Sequence, residues 1–215
     1  DLHSFPTRRS SDLGRFWVHG SHITHPAPTG LFPLCVDAAQ AFGSGTHATT
    51  KGCLLAIQNA SRSKRHIRRI LDLGCGSGIL SMAAKSLNPS AAVMAADYDK
   101  ISVETTRQNW HINQYPKKAF FALHSDGFSH ERLRGKQKFD LIVANILAKP
   151  LKQFAPLITQ NLASNGRVIL SGLLTSQMRD IRAIYRHHHL FVMQHIQMDA
   201  WSTLLLAPKT NYTKR

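Results

Sequence analysis

Residues 70–78 read Ile-Leu-Asp-Leu-Gly-Cys-Gly-Ser-Gly, and this stretch determines the fold that we predict for the chain. A short apolar strand leads directly into three alternating glycines, Gly74, Gly76 and Gly78, and an apolar helical segment starts at Ile79. Glycine is needed where a ligand must approach the backbone closely. The pattern therefore predicts a strand–turn–helix unit that binds a nucleotide-type ligand.

The glycine spacing distinguishes between classes of ligand. The dinucleotide fingerprint is G-x-G-x-x-G. Here the third glycine comes one residue early, as Gly78, and Ile79 occupies the expected position. This spacing favours a single adenosine-containing ligand over a pyrophosphate-bridged one, so a nicotinamide-dependent dehydrogenase is a weak alternative.

An acidic residue follows the next predicted strand. Residues 91–96 are apolar and end at Asp97, roughly 20 residues after Gly74, which is the length of one strand–helix–strand unit. The two oxygens of a carboxylate at this position suit the vicinal hydroxyls of a ribose. Asp97 is therefore the predicted ribose-binding residue.

Alternating apolar segments predict a doubly wound α/β fold with a seven-stranded, mostly parallel sheet. The last two strands are separated by only a few residues, so we expect an antiparallel hairpin with one reversed strand at or near the sheet edge. Predicted strands cover residues 69–73, 91–97, 119–123, 139–144, 167–170, 190–196 and 201–207. Predicted helices cover residues 50–59, 79–87, 101–112, 151–162 and 176–185.

Length and composition bound the class of protein. The 215 residues are 43% hydrophobic, as in a globular domain with a substantial core, and no apolar run approaches the roughly 18 residues of a membrane span. Cys35, Cys53 and Cys75 are odd in number and widely spaced, which indicates neither disulfides nor zinc and favours a reducing, cytoplasmic location.

The net charge of +15 has two interpretations. The positive charge either attracts a polyanionic partner such as ribosomal RNA, or it belongs to helix faces that are simply solvated.

Domain boundaries follow from changes in composition and apolar periodicity along the chain. We expect residues 1–13 to be a truncated or non-native leader, because they show little apolar periodicity and no secretory pattern. Residues 14–50 are predicted to form an extended lead-in with a Gly/Thr-rich loop. Residues 51–208 form the main domain, and residues 209–215 are a tail.

Three motifs resemble one protein family. Residues 41–50, Ala-Phe-Gly-Ser-Gly-Thr-His-Ala-Thr-Thr, are similar to the threonine loop A-F-G-T-G-T-H-P-T-T of the ribosomal protein L11 methyltransferase (PrmA) family. Residues 145–151 and 171–174 resemble that family's N-I-L-A-G-P-L and S-G-I-L. Ser44, Ala48 and Lys149 depart from it, and residues 36–40 stand where the family tends toward L-D-P-G.

The resemblance covers roughly residues 14–208 and is to the catalytic domain only. It implies a class I S-adenosyl-L-methionine-dependent methyltransferase that modifies amine nitrogens, lysine side chains or an N-terminal α-amine, of ribosomal protein L11. The family's separate amino-terminal, substrate-capturing domain has no room before residue 16, so unaided recognition of L11 is in question.

The resemblance also implies roles for single residues. Cofactor-binding residues would be Thr50, Gly74, Gly76, Gly78, Asp97 and Asn145. Thr50 would contact the methionine end of the cofactor, and Asn145 would position the cofactor or the incoming amine. We assign no general base and no metal ligand.

Four positions keep a second interpretation. Asp126 is either an adenine-binding residue or a turn cap, and His47 is either a base or a loop-orienting residue. Thr50 is also a candidate helix N-cap, and Asn145 a candidate strand-end cap.

Two other functions remain open at this point. One is an RNA or small-molecule methyltransferase on the same fold, although Ile146 and Leu147 offer no aromatic platform for a base after Asn145. The other is a fragment that binds the cofactor without turnover.

Overall fold

The computed structural model describes residues 13–36, 47–62, 66–135 and 137–209, which form one large sheet with helices on both faces and one small sheet. The strands are β1 Phe16–His19, β2 Phe32–Cys35, β3 Arg69–Leu73, β4 Ala92–Asp97, β5 Phe120–His124, β6 Phe139–Asn145, β7 Leu162–Leu174, β8 Leu190–Met198 and β9 Trp201–Pro208. The α-helices are α1 Ala48–Ser61, α2 Ile79–Leu87, α3 Lys100–Ile112, α4 Ala148–Asn161 and α5 Met178–His187. Two short 3₁₀ helices are Glu131–Leu133 and Thr175–Gln177.

The large sheet has seven strands in the order β5-β4-β3-β6-β7-β9-β8. Strands β3 to β7 pair in parallel, whereas β9 runs antiparallel to both of its neighbours, β7 and β8. Strand β9 is thus the single reversed strand and lies one position from the edge. The predicted doubly wound fold is confirmed.

Most element boundaries differ from the sequence prediction by one or two residues, and the larger differences are at β7 and at the start of α4. Strand β7 begins at Leu162, five residues before its predicted start, because Leu162 pairs with Phe139 before an irregularity shifts the register to Arg167 opposite Leu141. Helix α4 begins at Ala148 although Pro150 follows. Proline is tolerated there because the first-turn amides have no intrahelical acceptor.

Strands β3 and β6 occupy the centre of the sheet, and their apolar side chains are buried on both faces. Ile70 and Leu141 pack against α1 and α2, and Leu71 and Ile142 pack on the opposite face with α4 and α5. Burial on both faces explains the continuous apolar runs in these strands. The rigid centre fixes the positions at which the strands end.

Parts of the predicted architecture lie outside the described residues. These are residues 1–12 of the expected leader and residues 41–46 of the threonine loop. The lead-in contains β1 and β2, which pair in parallel as a separate two-stranded sheet. None of the helices formed by the described residues combines the length and apolar character that a bilayer crossing requires.

Candidate active site

A cavity of about 1150 Å³ opens where the parallel strands β3, β4 and β6 end. The chain leaves β3 toward β4 on one side of the sheet and continues through β6 and β7 on the other, so the cavity lies at a topological switch point. Five of the six predicted site residues line it. They are Thr50, Gly74, Gly76, Asp97 and Asn145.

The sixth predicted residue, Gly78, does not line the cavity. Its φ is +78°, and a Cβ there would lie 2.8 Å from Cγ2 of Thr106 on α3. Gly74, with φ +76°, would likewise place a Cβ 2.2 Å from Cγ2 of Ile146. Left-handed backbone and contacts inside the protein therefore require these two glycines.

The backbone amides of the glycine turn already have protein acceptors. Those of Gly74 and Cys75 donate to the carbonyl oxygen of Ala96 at 2.7 and 3.1 Å. That of Gly76 donates to Oδ2 of Asp97 at 3.0 Å. A pyrophosphate needs free amide donors at such a turn, so these bonds agree with the predicted preference for a single adenosine-containing ligand.

Asp97 is held in one orientation by two backbone amides. Oδ2 accepts from Gly76, and Oδ1 accepts from Asp99 at 3.0 Å. The side chain is buried, with 7% of its surface exposed toward the cavity. Because an ionised carboxylate has about four acceptor positions, two remain for hydroxyl donors from a ligand.

Asp99 also borders the cavity, but its carboxylate is engaged in helix α3. Oδ1 accepts from the amide of Ile101 and Oδ2 from that of Ser102, both at 3.0 Å. The bond from Ile101, followed by those from Ser102, lowers the pKa of Asp99 below its ordinary value. Asp99 is therefore the N-cap of α3.

Asp126 is exposed and lines the cavity after β5. The turn around it is held by the hydroxyl of Ser125, which donates to the carbonyl oxygen of Gly127 at 2.9 Å. The backbone carbonyl of Asp126 accepts from Ser129 at 3.0 Å. Both interpretations of the Asp126 carboxylate therefore stay open.

His47, not Thr50, is the N-cap of α1. Its Nδ1 lies 2.9 Å from Oγ1 of Thr49 and accepts from the Thr49 amide at 3.4 Å. Its ring meets Trp201 edge to face, with centroids 5.0 Å apart. The N-cap alternative for Thr50 is wrong, because Thr50 lies inside the first turn, where it is buried beside the cavity. His47 has the contacts of an orienting residue.

Asn145 ends β6 at the mouth of the cavity and is half-buried. No hydrogen bond joins its side-chain amide to another described residue. Within the described part of the chain, Asn145 therefore makes none of the side-chain hydrogen bonds that a strand-end cap would make. Its amide N–H and carbonyl groups face a ligand site unpaired.

Gly172 explains why the two motifs near residues 145 and 171 occur together. Its φ is +79°, and a Cβ would lie 2.4 Å from the backbone oxygen of Ile146. The backbone after β6 therefore crosses β7 at a distance that only glycine permits. This crossing fixes Asn145 and places Leu147, 71% exposed, on the cavity rim.

Asp72, which lies within residues 70–78 and is fully buried, was not identified from the sequence. Its Oδ2 accepts from the amide and hydroxyl of Ser81 at 2.9 and 2.7 Å. It thus caps α2, whose N-cap residue Gly78 has no side chain. Burial raises the pKa of Asp72 to about 6, and Oδ1 has no hydrogen-bond partner among the described residues.

Tyr98 and Trp201 were also missed. Tyr98 directly follows Asp97 and is 77% exposed on the rim, so its place next to the acid is a signal that the sequence contains. Trp201 enters the cavity from the start of β9. No local sequence pattern predicts this position of Trp201, because only the order of the strands in the sheet places β9 beside the cavity.

The fold and the cavity at its switch point define a class I methyltransferase. A solved structure of the ribosomal protein L11 methylase of Lactobacillus delbrueckii subsp. bulgaricus superposes with a TM-score of 0.80 at 26% identity, covering 91% of this chain and 96% of that one. A Thermus thermophilus 16S rRNA N2 G1207 methyltransferase in complex with AdoMet and guanosine shares the fold, with a TM-score of 0.58 at 21% identity, covering 79% of this chain and 45% of that one.

The family model for ribosomal protein L11 methyltransferase (PrmA) matches residues 6–209. The chain belongs to this family. It is 40% identical over 194 residues to the ribosomal protein L11 methyltransferase of Bradyrhizobium diazoefficiens, covering 90% of this chain and 64% of that protein. The corresponding protein of Agrobacterium fabrum is 39% identical, with 90% and 65% covered. The chain thus spans a little under two thirds of these relatives' length.

Proposed function

We propose that the chain transfers methyl groups from S-adenosyl-L-methionine to amine nitrogens of ribosomal protein L11. The accepting groups are lysine side chains, the N-terminal α-amine, or both. The observation that carries the proposal is the arrangement of Thr50, the glycine turn, Asp97 and Asn145 around one cavity. The names of the relatives at about 40% identity support the substrate.

The residues of the cavity fit this cofactor. Asp97 is fixed by two amides and retains acceptor positions for the two ribose hydroxyls. The amides of Gly74, Cys75 and Gly76 have protein acceptors, which suits an adenosine without phosphates. The cavity also exceeds the range of about 300–1,000 Å³ that is usual for small-molecule sites, so the end of a substrate side chain has room beside the cofactor.

When bound, S-adenosyl-L-methionine supplies an electrophilic methyl group on a positively charged sulfur, which is a good leaving group. The main task of the protein is therefore alignment, which contributes roughly 7–11 kcal/mol when the reacting groups are well oriented. Asp97 would hold the ribose. Thr50, in the first turn of α1, would bind the methionine end, and the unpaired amide of Asn145 would orient the incoming amine or the cofactor.

A general base is not required by this chemistry. Deprotonating a lysine with a pKa of about 10.4 at pH 7 costs about 4.6 kcal/mol, and an α-amine costs about 1 kcal/mol. A half-buried site favours the neutral amine and offsets part of that cost. This agrees with a cavity in which His47 is engaged as a helix cap.

Charge at the rim supports a cationic substrate. Asp97, Asp99 and Asp126 outnumber Lys100 among the charged residues that line the cavity, so a lysine approaches mainly acidic groups before it loses its proton. The net charge of +15 supports an additional contact with ribosomal RNA. The free, buried cysteines among the described residues agree with a cytoplasmic location.

The experiment that tests this proposal follows a radiolabelled methyl group. The chain is incubated with labelled S-adenosyl-L-methionine and either purified ribosomal protein L11, protein-free ribosomal RNA, or buffer. We expect acid-stable label in L11 alone. Label in RNA would replace the proposal with the RNA methyltransferase alternative, and cofactor binding without label in either would indicate a fragment that does not turn over.

A further inference from the structure

Basic residues collect at the edge of the sheet opposite the cavity, which we call the amino edge. The parallel strands begin there, and the reversed strand β9 ends there. The cations on the strand ends and connecting segments of this edge come from nearly every strand. They are Arg62, Arg68, Arg69, Lys117, Lys118, Lys138, Arg167, Arg186 and Lys209.

The residues of the amino edge form a row because the sheet sets their spacing. Arg68 and Lys138 immediately precede the neighbouring strands β3 and β6, which lie about 4.8 Å apart. Arg69 on β3 and Arg167 on β7 are half-buried and lie on opposite faces of the sheet. Lys117 and Lys118 precede β5 at one end of the row, and Lys209 follows β9 near the other.

Acidic charge is nearly absent from the described residues of the amino edge. The one acid there is Asp140, and its Oδ2 accepts from the backbone amides of Arg68 and Arg69 at 2.8 and 2.9 Å. It is therefore engaged by backbone and not by the side chains of Lys117 or Lys138. Apart from Arg69 and Arg167, the cations of the row are exposed, so the amino edge presents a net positive charge to the solvent.

The opposite edge of the sheet has a different charge. Asp97, Asp99 and Asp126 surround the cavity, Asp180 lies in the first turn of α5, and Asp199 lies in the turn between β8 and β9. Four of these acids lie at or after carboxyl ends of the parallel strands, and Asp199 lies at the corresponding end of β8. Because Lys100, Lys149 and Arg179 also lie on this edge, it carries both signs of charge, whereas the amino edge, roughly 15 Å or more away along β3, is basic.

We propose that the amino edge binds the phosphodiester backbone of RNA without base specificity, while the cavity on the other edge remains open to the protein substrate. A row of cations from adjacent strands suits a polymer with regularly repeated charges, because each contact releases counterions. The choice of RNA rests on the proposed function, but this binding needs neither cofactor nor methyl transfer.

An anionic membrane surface is the less suitable partner. Membrane-surface sites combine basic residues with exposed apolar anchors. The two most exposed large apolar side chains, Tyr98 at 77% and Leu147 at 71%, lie on the rim of the cavity, whereas Ile112 and Phe121, nearer the amino edge, are less exposed, at 42% and 39%. A phosphate polymer therefore matches this surface better than a lipid headgroup layer.

The test uses fluorescence anisotropy with a labelled single-stranded RNA oligonucleotide at several salt concentrations. The edge variant carries Lys117→Glu, Lys118→Glu and Lys138→Glu, all at exposed side chains. The control variant carries Lys149→Glu, Arg179→Glu and Arg182→Glu, which are exposed on α4 and α5 and give the same change in net charge. Binding of S-adenosyl-L-methionine is measured in parallel for all three proteins.

We expect the Kd for RNA to rise at least tenfold in the edge variant and less than threefold in the control variant. The slope of log Kd against log salt should fall by about 2 in the edge variant, at roughly 0.7 per lost phosphate contact in a single strand. Cofactor affinity should be equal in all three proteins, so a failure here is separable from a failure of the proposed function.

Two results would overturn the inference. Equal weakening in both variants would mean that net charge alone drives binding, with no defined surface. Tighter binding of the chain to vesicles with anionic headgroups than to RNA, lost only in the edge variant, would assign the surface to a membrane.

Discussion

The carboxylate of Asp97 accepts a hydrogen bond from the backbone amide of Gly76 at 3.0 Å, and this bond joins the acid after β4 to the glycine turn after β3. The two sequence features that predicted a ligand site therefore form one structural unit. Its consequence is pre-organisation, because the carboxylate oxygens that we propose to bind the ribose are oriented by two backbone amides in the protein itself. A ligand then does not have to order this side chain itself.

Gly172 should be the least replaceable glycine near the site. In Gly172→Ala the new Cβ meets the backbone of Ile146 at 2.4 Å, and backbone cannot rotate away as a side chain can. We expect a loss of more than about 3 kcal/mol in the free energy of unfolding, measured by urea denaturation.

Gly30→Ala is the matched control for Gly172→Ala. Its φ is +82°, but no atom of the residues that the structure describes lies within 4 Å of the new Cβ. It should cost only the left-handed backbone strain, about 1–2 kcal/mol. Equal losses in the two variants would show that the crossing of residue 146 over β7 is not tightly packed.

Asp72 should make stability depend on pH in the direction opposite to most carboxylates. Its folded pKa, about 6, lies above the ordinary value of 3.8, so the folded state binds the proton more tightly than the unfolded state. The free energy of unfolding contributed by this group therefore falls as pH rises from about 4 to about 6. The full difference corresponds to about 3 kcal/mol.

Asp72→Asn isolates this effect, because its side-chain oxygen can still accept from the amide of Ser81. Urea unfolding of both proteins at pH 4, 5, 6 and 7 gives the difference between them. We expect the wild type to lose stability relative to the variant across this range. A difference that stays constant with pH would mean that the pKa of Asp72 is not raised.

Asn145→Ala should reduce methyl transfer without weakening the fold. Its side-chain amide bonds to no described residue, so its removal leaves no buried protein group unpaired. We expect kcat/KM for the amine substrate to fall at least tenfold while the Tm changes by less than about 2 °C. A large fall in Tm with an unchanged rate would instead indicate a structural cap.

Tyr185→Phe tests the packing of the opposite sheet face and should leave the site unchanged. The buried hydroxyl of Tyr185 donates to the carbonyl oxygen of Leu151 at 2.9 Å. Leu151 lies inside α4, where its carbonyl also accepts a helical hydrogen bond, so removing the hydroxyl costs one buried hydrogen bond, about 0.5–1.5 kcal/mol. Urea unfolding measures the loss, and cofactor affinity should remain within twofold of the wild type.

The order of strands and helices could be predicted from sequence because each element has its own local pattern. The runs in β3 and β6 are apolar throughout since both faces are buried, and helix α2 agrees with its prediction at both ends. The glycine turn and Asp97 were identified because they lie next to strand ends. Parallel strands bring such ends to one edge of a sheet.

What the sequence did not reveal depends on contacts between distant segments. The role of Asp72 depends on where α2 starts, and the reason for Gly172 depends on a backbone crossing near Ile146. His47 meets Trp201 only after the whole sheet has formed. The parallel pairing of β1 with β2 likewise falls in a segment rich in Pro, His and Gly, where no periodicity indicates strands.

Isothermal titration calorimetry with S-adenosyl-L-methionine tests the central claim most directly, comparing the wild type with Asp97→Asn and Asp99→Asn. Asparagine is an effective N-cap, so Asp99→Asn removes a rim charge while preserving α3. We predict binding by the wild type, at least tenfold weaker binding by Asp97→Asn, about 1.4 kcal/mol, and less than a threefold change in Asp99→Asn. No binding by the folded wild type, or equal affinity in the wild type and Asp97→Asn, would contradict the assignment of this cavity to the cofactor.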